Sequence, residues 1–225
     1  MEECFLSRNL YTRDHLEHLN RIGKITPELQ QAFQAFNRSV MKEGALTVKE
    51  KEIIAVAVAH ATECPYCIDI HTKQAKKAGA SLKELVEAAF VTASIEGGGA
   101  IAHSTHVKNA LDPEGDDILY RRSNLSRMDH IKPLAPEAFD GAMSFFHTAG
   151  GEGTLSAKLK ELIAVAVAHT TECPYCIDLH TQSADKAGAS EKELAEAILV
   201  ASALRAGGAY AHIANMIASY DEDEA

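Results

Sequence analysis

Two cysteines three residues apart, with a histidine four residues further on, occur twice in this chain. They are Cys64, Cys67 and His71 in HATECPYCIDIHTKQAKKAG, and Cys173, Cys176 and His180 in HTTECPYCIDLHTQSADKAG. On one helical turn the paired cysteines are close enough to close a disulfide with little rearrangement. A helix N-terminus carries partial positive charge, which favours thiolate over thiol, and the thiolate is the nucleophile. The histidine falls one turn beyond on the same face, where it can take the cysteine's proton or steady the thiolate. Glu52 and Glu161 stand at the start of the preceding helix. If that helix packs antiparallel against the next, its carboxylate reaches the imidazole and can orient or protonate it, as a third group does in nucleophile–base–orienter sites. As a plain helix-start acid, the glutamate would do none of this.

The same residues admit a metal reading. His60, Cys64, Cys67 and His71 resemble a Cys2His2 set, but residues 60 to 71 on one helix span about 16 Å, whereas zinc ligands sit about 2.0–2.3 Å from the metal. Two cysteines with one histidine, and Glu52 as a fourth ligand, stay open as a zinc set. A third reading makes the alanine-rich helices an interaction module with inert cysteines.

The elements that must position these groups are also written twice. A constant offset of 109 residues relates Pro27-Glu28 to Pro136-Glu137, Lys51-Glu52 to Lys160-Glu161, Asp69 to Asp178 and His103 to His212. The front ends align too, Tyr11 and Arg13 with Tyr120 and Arg122. Residues 1–111 read as the first repeat, 112–118 as a linker around DPEGDD, and 119–225 as the second repeat.

Each copy reads as helical. PELQQAFQAFNRSV spaces Leu29, Phe33, Phe36 and Val40 for a helix. Thr47 with Glu50 has the pattern of a capping box, and Ser156 replaces Thr47 in the second copy. IIAVAVA would suit a buried strand, but its length and alanine content favour a buried central helix. Cys64 and Cys173 fit N-caps before Pro65 and Pro174, and Gly79 and Gly188 fit C-cap glycines. Ser81 and Ser190 open a last helix, whose far end the runs Gly97-Gly98-Gly99 and Gly207-Gly208 are expected to interrupt. The expected fold is an all-α duplicated bundle. His60 and His169 read as core or capping residues, His103 and His212 as packing residues beside the glycines, and His106 as surface. Cys4 receives no role.

The composition limits the function classes. Hydrophobic content of 46% and charged content of 24% are globular values. A formal charge of −10 argues against a nucleic-acid or anionic-membrane surface. No stretch reads as long and apolar enough to span a bilayer. The start MEECFLSRNLYTRDHLEH reads as no signal peptide. A cytoplasmic location is expected. No glycine fingerprint for a nicotinamide or flavin follows a strand, so no cofactor is expected.

The combination of a glutamate, Cys-x-x-Cys twelve residues later and a histidine four past the second cysteine resembles the AhpD-like alkylhydroperoxidases of the carboxymuconolactone decarboxylase superfamily. The resemblance runs over Pro27–His103 and Pro136–His212. It implies two tandem copies of an AhpD-like helical bundle and peroxide reduction through a cysteine disulfide, with the catalytic sets Glu52, Cys64, Cys67, His71 and Glu161, Cys173, Cys176, His180. By matching position, Cys67 and Cys176 would attack peroxide and Cys64 and Cys173 would resolve. A thioredoxin-like or lipoyl dithiol would re-reduce them, and a trimer of this chain would reproduce a hexamer of single units. Where the family's best-known members carry a histidine just before the second cysteine, this chain has Tyr66 and Tyr175. Protein disulfide exchange through the same pairs is the alternative activity.

Overall fold

A computed structural model describes residues 11–111, 118 and 120–221. Cys4, Leu10, the DPEGDD linker, Leu119 and the acidic tail from Glu222 lie outside the described residues. Among the described residues every regular element is helical. Repeat one has a 3-10 stretch Arg13–Arg21 and a short turn Ile22–Ile25. These are followed by α1 (Pro27–Met41), α2 (Val48–Ala61), α3 (Pro65–Lys77) and α4 (Leu82–Leu111). Repeat two has a 3-10 stretch Arg122–Ile131, then α5 (Pro136–Gly150), α6 (Ala157–Thr171), α7 (Pro174–Lys186) and α8 (Glu191–Asp221).

Local signals set the helix ends. Thr47 accepts from Glu50 N–H (3.2 Å) while Glu50 Oε2 accepts from Thr47 N–H (2.8 Å), closing the capping box of α2. Ser156 caps α6 through Leu159 N–H (3.2 Å), and leucine at that third position cannot return the bond. Gly79 and Gly188 adopt φ of 90° and 84° just past α3 and α7, a left-handed conformation that costs glycine nothing.

The ambiguous run folds as the central helix. Ile53–Ala59 of α2 and Leu162–Ala168 of α6 are buried on every face, because α2 packs against α3, α4, α6 and α8 together. A helix enclosed this way needs no polar stripe.

The repeats interlock. Helix α4 packs against α5, α6 and α7 of the second repeat, and α8 packs against the first 3-10 stretch, α1, α2 and α3. One continuous apolar core results, with residues from both repeats. Carboxylates tie the exchange down. Glu196 of α8 accepts from Ala45 and Leu46 N–H (2.8 and 2.9 Å) and pairs with Lys51 (3.0 Å). Although burial opposes ionisation, these amides and Lys51 hold the Glu196 pKa down to about 2. Glu87 of α4 accepts from Thr154 and Leu155 N–H (2.7 and 2.9 Å) in the mirrored place. A Cβ on Gly153 would stand 2.5 Å from Glu87 Oε2, so this clamp needs glycine there.

Two expectations are corrected here. The glycine runs do not interrupt α4 or α8, which continue for 30 and 31 residues. A neighbour takes the space of the missing side chain at Gly97, where a Cβ would meet Phe146 at 3.3 Å. A Cβ on Gly99 would make ordinary contact with Cys176 Sγ at 3.8 Å, and one on Gly207 would meet nothing within 4 Å. At Gly97 close packing offsets the helix cost of glycine; burial of the rest of each helix carries the others. By length and composition, Leu82–Val107 and α8 are also apolar enough to cross a membrane, contrary to the sequence reading. Alanine, valine, leucine and isoleucine raise their hydropathy, and both helices bury those residues against the central pair.

Candidate active site

Helices α2 and α3 form an antiparallel pair, and so do α6 and α7. In each, the start of the first helix meets the middle of the second. His71 Nδ1–H donates to Glu52 Oε2 at 2.8 Å, and His180 Nδ1–H donates to Glu161 Oε2 at 2.8 Å. With Nδ1 committed, the other ring nitrogen is the one left for proton transfer. The geometry therefore brings Glu52 to His71 and Glu161 to His180, and sets each histidine one turn beyond a cysteine pair.

Cys64 and Cys173 are the N-caps of α3 and α7. Their sulfurs accept from Cys67 N–H and Cys176 N–H, both at 3.3 Å. These four paired-motif cysteines are not joined by disulfides and are 1–7% exposed. The Cys173 and Cys176 sulfurs lie 2.8 Å apart, well outside the ~2.05 Å of a disulfide. The Cys173 pKa is lowered to about 5, first by the hydrogen bond from Cys176. Burial opposes the shift; the Cys176 amide and neighbouring His103 add to it. The Cys64 pKa is lowered to about 6 by the equivalent contacts with Cys67, again against burial, and by His212. Cys67 and Cys176 are pushed up, because each donates its proton to the partner sulfur and is buried beside that thiolate. At each centre the first cysteine is thus the more acidic of the pair.

The interlocked fold supplies residues the sequence reading placed elsewhere. His103 of the first repeat lies beside Cys173 of the second, and His212 of the second beside Cys64 of the first. The rings of His103, His106, Tyr120 and Tyr175 form one cluster, with His106 stacked on Tyr175 at 5.9 Å. At the first centre the counterparts are His212, Tyr11 and Tyr66, with Asn215 facing the Tyr66 hydroxyl. His106, expected at the surface, has a buried Nε2 inside this cluster. Its helix is long and apolar, and the face bearing position 106 packs on the other repeat. The recurrence of Tyr11, Tyr66 and His103 at the 109-residue offset was the available signal, but periodicity alone does not say that the partner lies in the other copy. Asp69 and Asp178 accept from Arg13 and Arg122 and so tie the front 3-10 stretches to α3 and α7.

Beside the second centre is a cavity of about 280 Å³. Cys176, His180 and Glu161 border it along with Ile101, Met143 and Phe146. His60 turns Nδ1 to Val56 O at 2.7 Å, a capping contact. Among the described residues no three His, Cys, Asp or Glu side chains converge as metal ligands.

The carboxymuconolactone decarboxylase family model matches residues 27–109 and again 136–218. The chain belongs to the carboxymuconolactone decarboxylase family. That family's members are enzymes, decarboxylases or peroxidases, and its superfamily includes alkylhydroperoxidases. Uncharacterized protein 4 of the cox locus of Paracoccus denitrificans is 43% identical over 94 residues, covering 42% of this chain and 85% of the relative. An uncharacterized protein of Cupriavidus necator is 32% identical over 97 residues, covering 41% and 84%. Both matches are about one repeat long. A crystal structure from Burkholderia xenovorans, named a candidate gamma-carboxymuconolactone decarboxylase subunit, matches with a TM-score of 0.69 and 19% identity. The match covers 95% of this chain and 97% of that one, and shows that the fold is shared across the duplicated architecture.

Proposed function

We propose that this carboxymuconolactone decarboxylase family member is a thiol peroxidase with two dithiol centres, Glu52–Cys64–Cys67–His71 and Glu161–Cys173–Cys176–His180. The observation that carries this reading is the close cysteine pair, its sulfurs 2.8 Å apart, at the edge of an apolar cavity, with a carboxylate-oriented histidine one turn away. Cys176 borders the cavity, so a hydroperoxide entering it meets that sulfur first. The Cys176 proton passes to Cys173, and the Cys176 thiolate attacks the terminal peroxide oxygen. The S–O bond forms as the O–O bond breaks, the alkoxide takes the Cys173 proton and leaves as alcohol, and Cys176 becomes a sulfenic acid. The Cys173 thiolate then attacks the Cys176 sulfur. Hydroxide departs, takes a solvent proton relayed by His180 and becomes water, leaving the disulfide. In this sequence the second cysteine attacks because it has access, while the first stores the charge. A dithiol donor restores both thiols by exchange.

Burial of all four sulfurs favours a small oxidant over a folded protein disulfide. It also favours a slender lipoyl arm over a thioredoxin-like surface as reductant. Exposed Leu29, Leu82 and Leu134 suit burial between copies, in keeping with a trimer in solution.

The test is intact mass after alkylation of reduced, chelator-treated protein exposed to stoichiometric tert-butyl hydroperoxide. Rapid loss of four thiols, with disulfides mapped to 64–67 and 173–176, is expected. Thiols that survive the peroxide defeat the reading.

A further inference from the structure

The reacting groups are the same at both centres, but the walls around them differ. Ile101, Met143 and Phe146 border the cavity at the second centre. The same offset puts Tyr210, Gln34 and Asn37 in their places at the first. Tyr210 is pinned there: its ring stacks on Phe33 with centroids 4.3 Å apart and planes at 17°, and its hydroxyl accepts from Gln30 Nε2 at 3.3 Å. The second repeat has Ala142 where Phe33 would be, so no ring can stack at that position. A pinned tyrosine thus bridges α8 and α1 where isoleucine leaves open volume between α4 and α5. Exposure of the reacting groups follows the same trend. The Glu161 side chain is 24% exposed against 9% for Glu52, and His180 is 21% exposed against 15% for His71.

Building on the peroxidase reading, we propose that the two centres have divided their substrates. The Cys173–Cys176 centre takes organic hydroperoxides with an aryl or branched alkyl group, which the cavity holds. At the Cys64–Cys67 centre, Tyr210 with polar Gln34 and Asn37 excludes that group and leaves access to small hydrophilic peroxides. A cavity of about 280 Å³ is near the small end of ligand pockets, a fit for a group of benzene or isopropylbenzene size rather than a long lipid chain. The chemistry is unchanged: the peroxide gains two electrons and becomes alcohol and water, and the dithiol loses two and becomes a disulfide.

Two measurements on the full chain separate this division from the reading beneath it. The first is binding of cumyl alcohol, which cannot oxidise thiols, followed by ligand-observed NMR. One site is expected in the parent chain, lost in Ile101→Tyr and joined by a second in Tyr210→Ile. The second is the rate of thiol loss in chains keeping one centre each, Cys64→Ser/Cys67→Ser and Cys173→Ser/Cys176→Ser. Cumene hydroperoxide should consume the 173–176 centre at least about tenfold faster than the 64–67 centre, while hydrogen peroxide separates them by less than about threefold. Equal cumene hydroperoxide rates at both centres, or cumyl alcohol binding untouched by Ile101→Tyr, overturn the division with the peroxidase reading intact. The expected binding pattern with thiols inert to both peroxides overturns the peroxidase reading, and the division falls with it.

Discussion

Removing the Cys176 thiol should cost Cys173 most of its acidity. In a chain carrying Cys4→Ser, Cys64→Ser and Cys67→Ser, the remaining thiols are Cys173 and Cys176. The strongest contribution to the low Cys173 pKa is the hydrogen bond from Cys176, across 2.8 Å. Cys176→Ala deletes that donor but keeps the Cys176 amide, which donates to Cys173 Sγ at 3.3 Å, and keeps His103. The Cys173 midpoint should therefore rise from about 5 towards the ordinary thiol value of about 8.5. Because this folded-state pKa is depressed, the thiolate exists above the midpoint and is lost as pH falls through it. At pH 7 a thiol of pKa about 5 is about 99% ionised, one of pKa about 7 about half, and one of pKa about 8.5 about 3%. The assay is thiolate absorbance in the far ultraviolet, titrated between pH 4 and pH 10, with alkylation rates alongside. The parent pair should show one thiolate already present near pH 6. A Cys176→Ala midpoint still below about 6 would refute the reasoning, since the helix N-terminus and His103 would then suffice without the partner thiol.

Other outcomes follow from single contacts. Glu161→Gln, leaving His180 without its carboxylate, should slow single-turnover thiol loss at the 173–176 centre about 10- to 100-fold, and an unchanged rate means that the carboxylate does not orient the ring for catalysis. Gly99→Ala places a Cβ at ordinary contact distance, 3.8 Å from Cys176 Sγ, and should leave stability level or raise it by about 0.5–1 kcal/mol through helix propensity, whereas Gly99→Val should cost about 1–3 kcal/mol by overpacking. Urea unfolding reads both, and similar midpoints for the two variants would mean that the sulfurs do not confine this position. Glu196→Ala strips two backbone amides and buried Lys51 of their shared carboxylate and should destabilise the chain by about 3 kcal/mol, also read by urea unfolding. A loss under about 1 kcal/mol would show that Lys51 is satisfied by Val40 O and Lys42 O alone.

Where chemistry depends on near neighbours, the residues could be read directly. Thr47–Glu50, Ser81–Glu84 and Ser190–Glu193 close capping boxes with partners three residues away, and all are visible as spacing. Glu52–His71 was reachable because an antiparallel pair with a short connection leaves few other places for the carboxylate. His103, His106 and His212 were not legible, because each sits on the last helix of one repeat and its partner lies in the other. The glycine runs misled for a related reason: glycine in a helix interior costs free energy locally, and only the packing of α4 and α8 on the other repeat, with Phe146 tight against Gly97, offsets that cost.

By itself the sequence determined the helices, the duplication, and two copies of a cysteine pair with its histidine and glutamate. These rest on capping, periodicity and short-range spacing, which act within a few residues of the chain. Only the tertiary structure decided that the last helix of each repeat crosses to cover the other's cysteines, and that an apolar cavity opens beside Cys176. Exchanging those helices leaves every local preference intact. What selects the arrangement is burial of α2 and α6 on all sides, together with clamps such as Glu196 on the other repeat's loop.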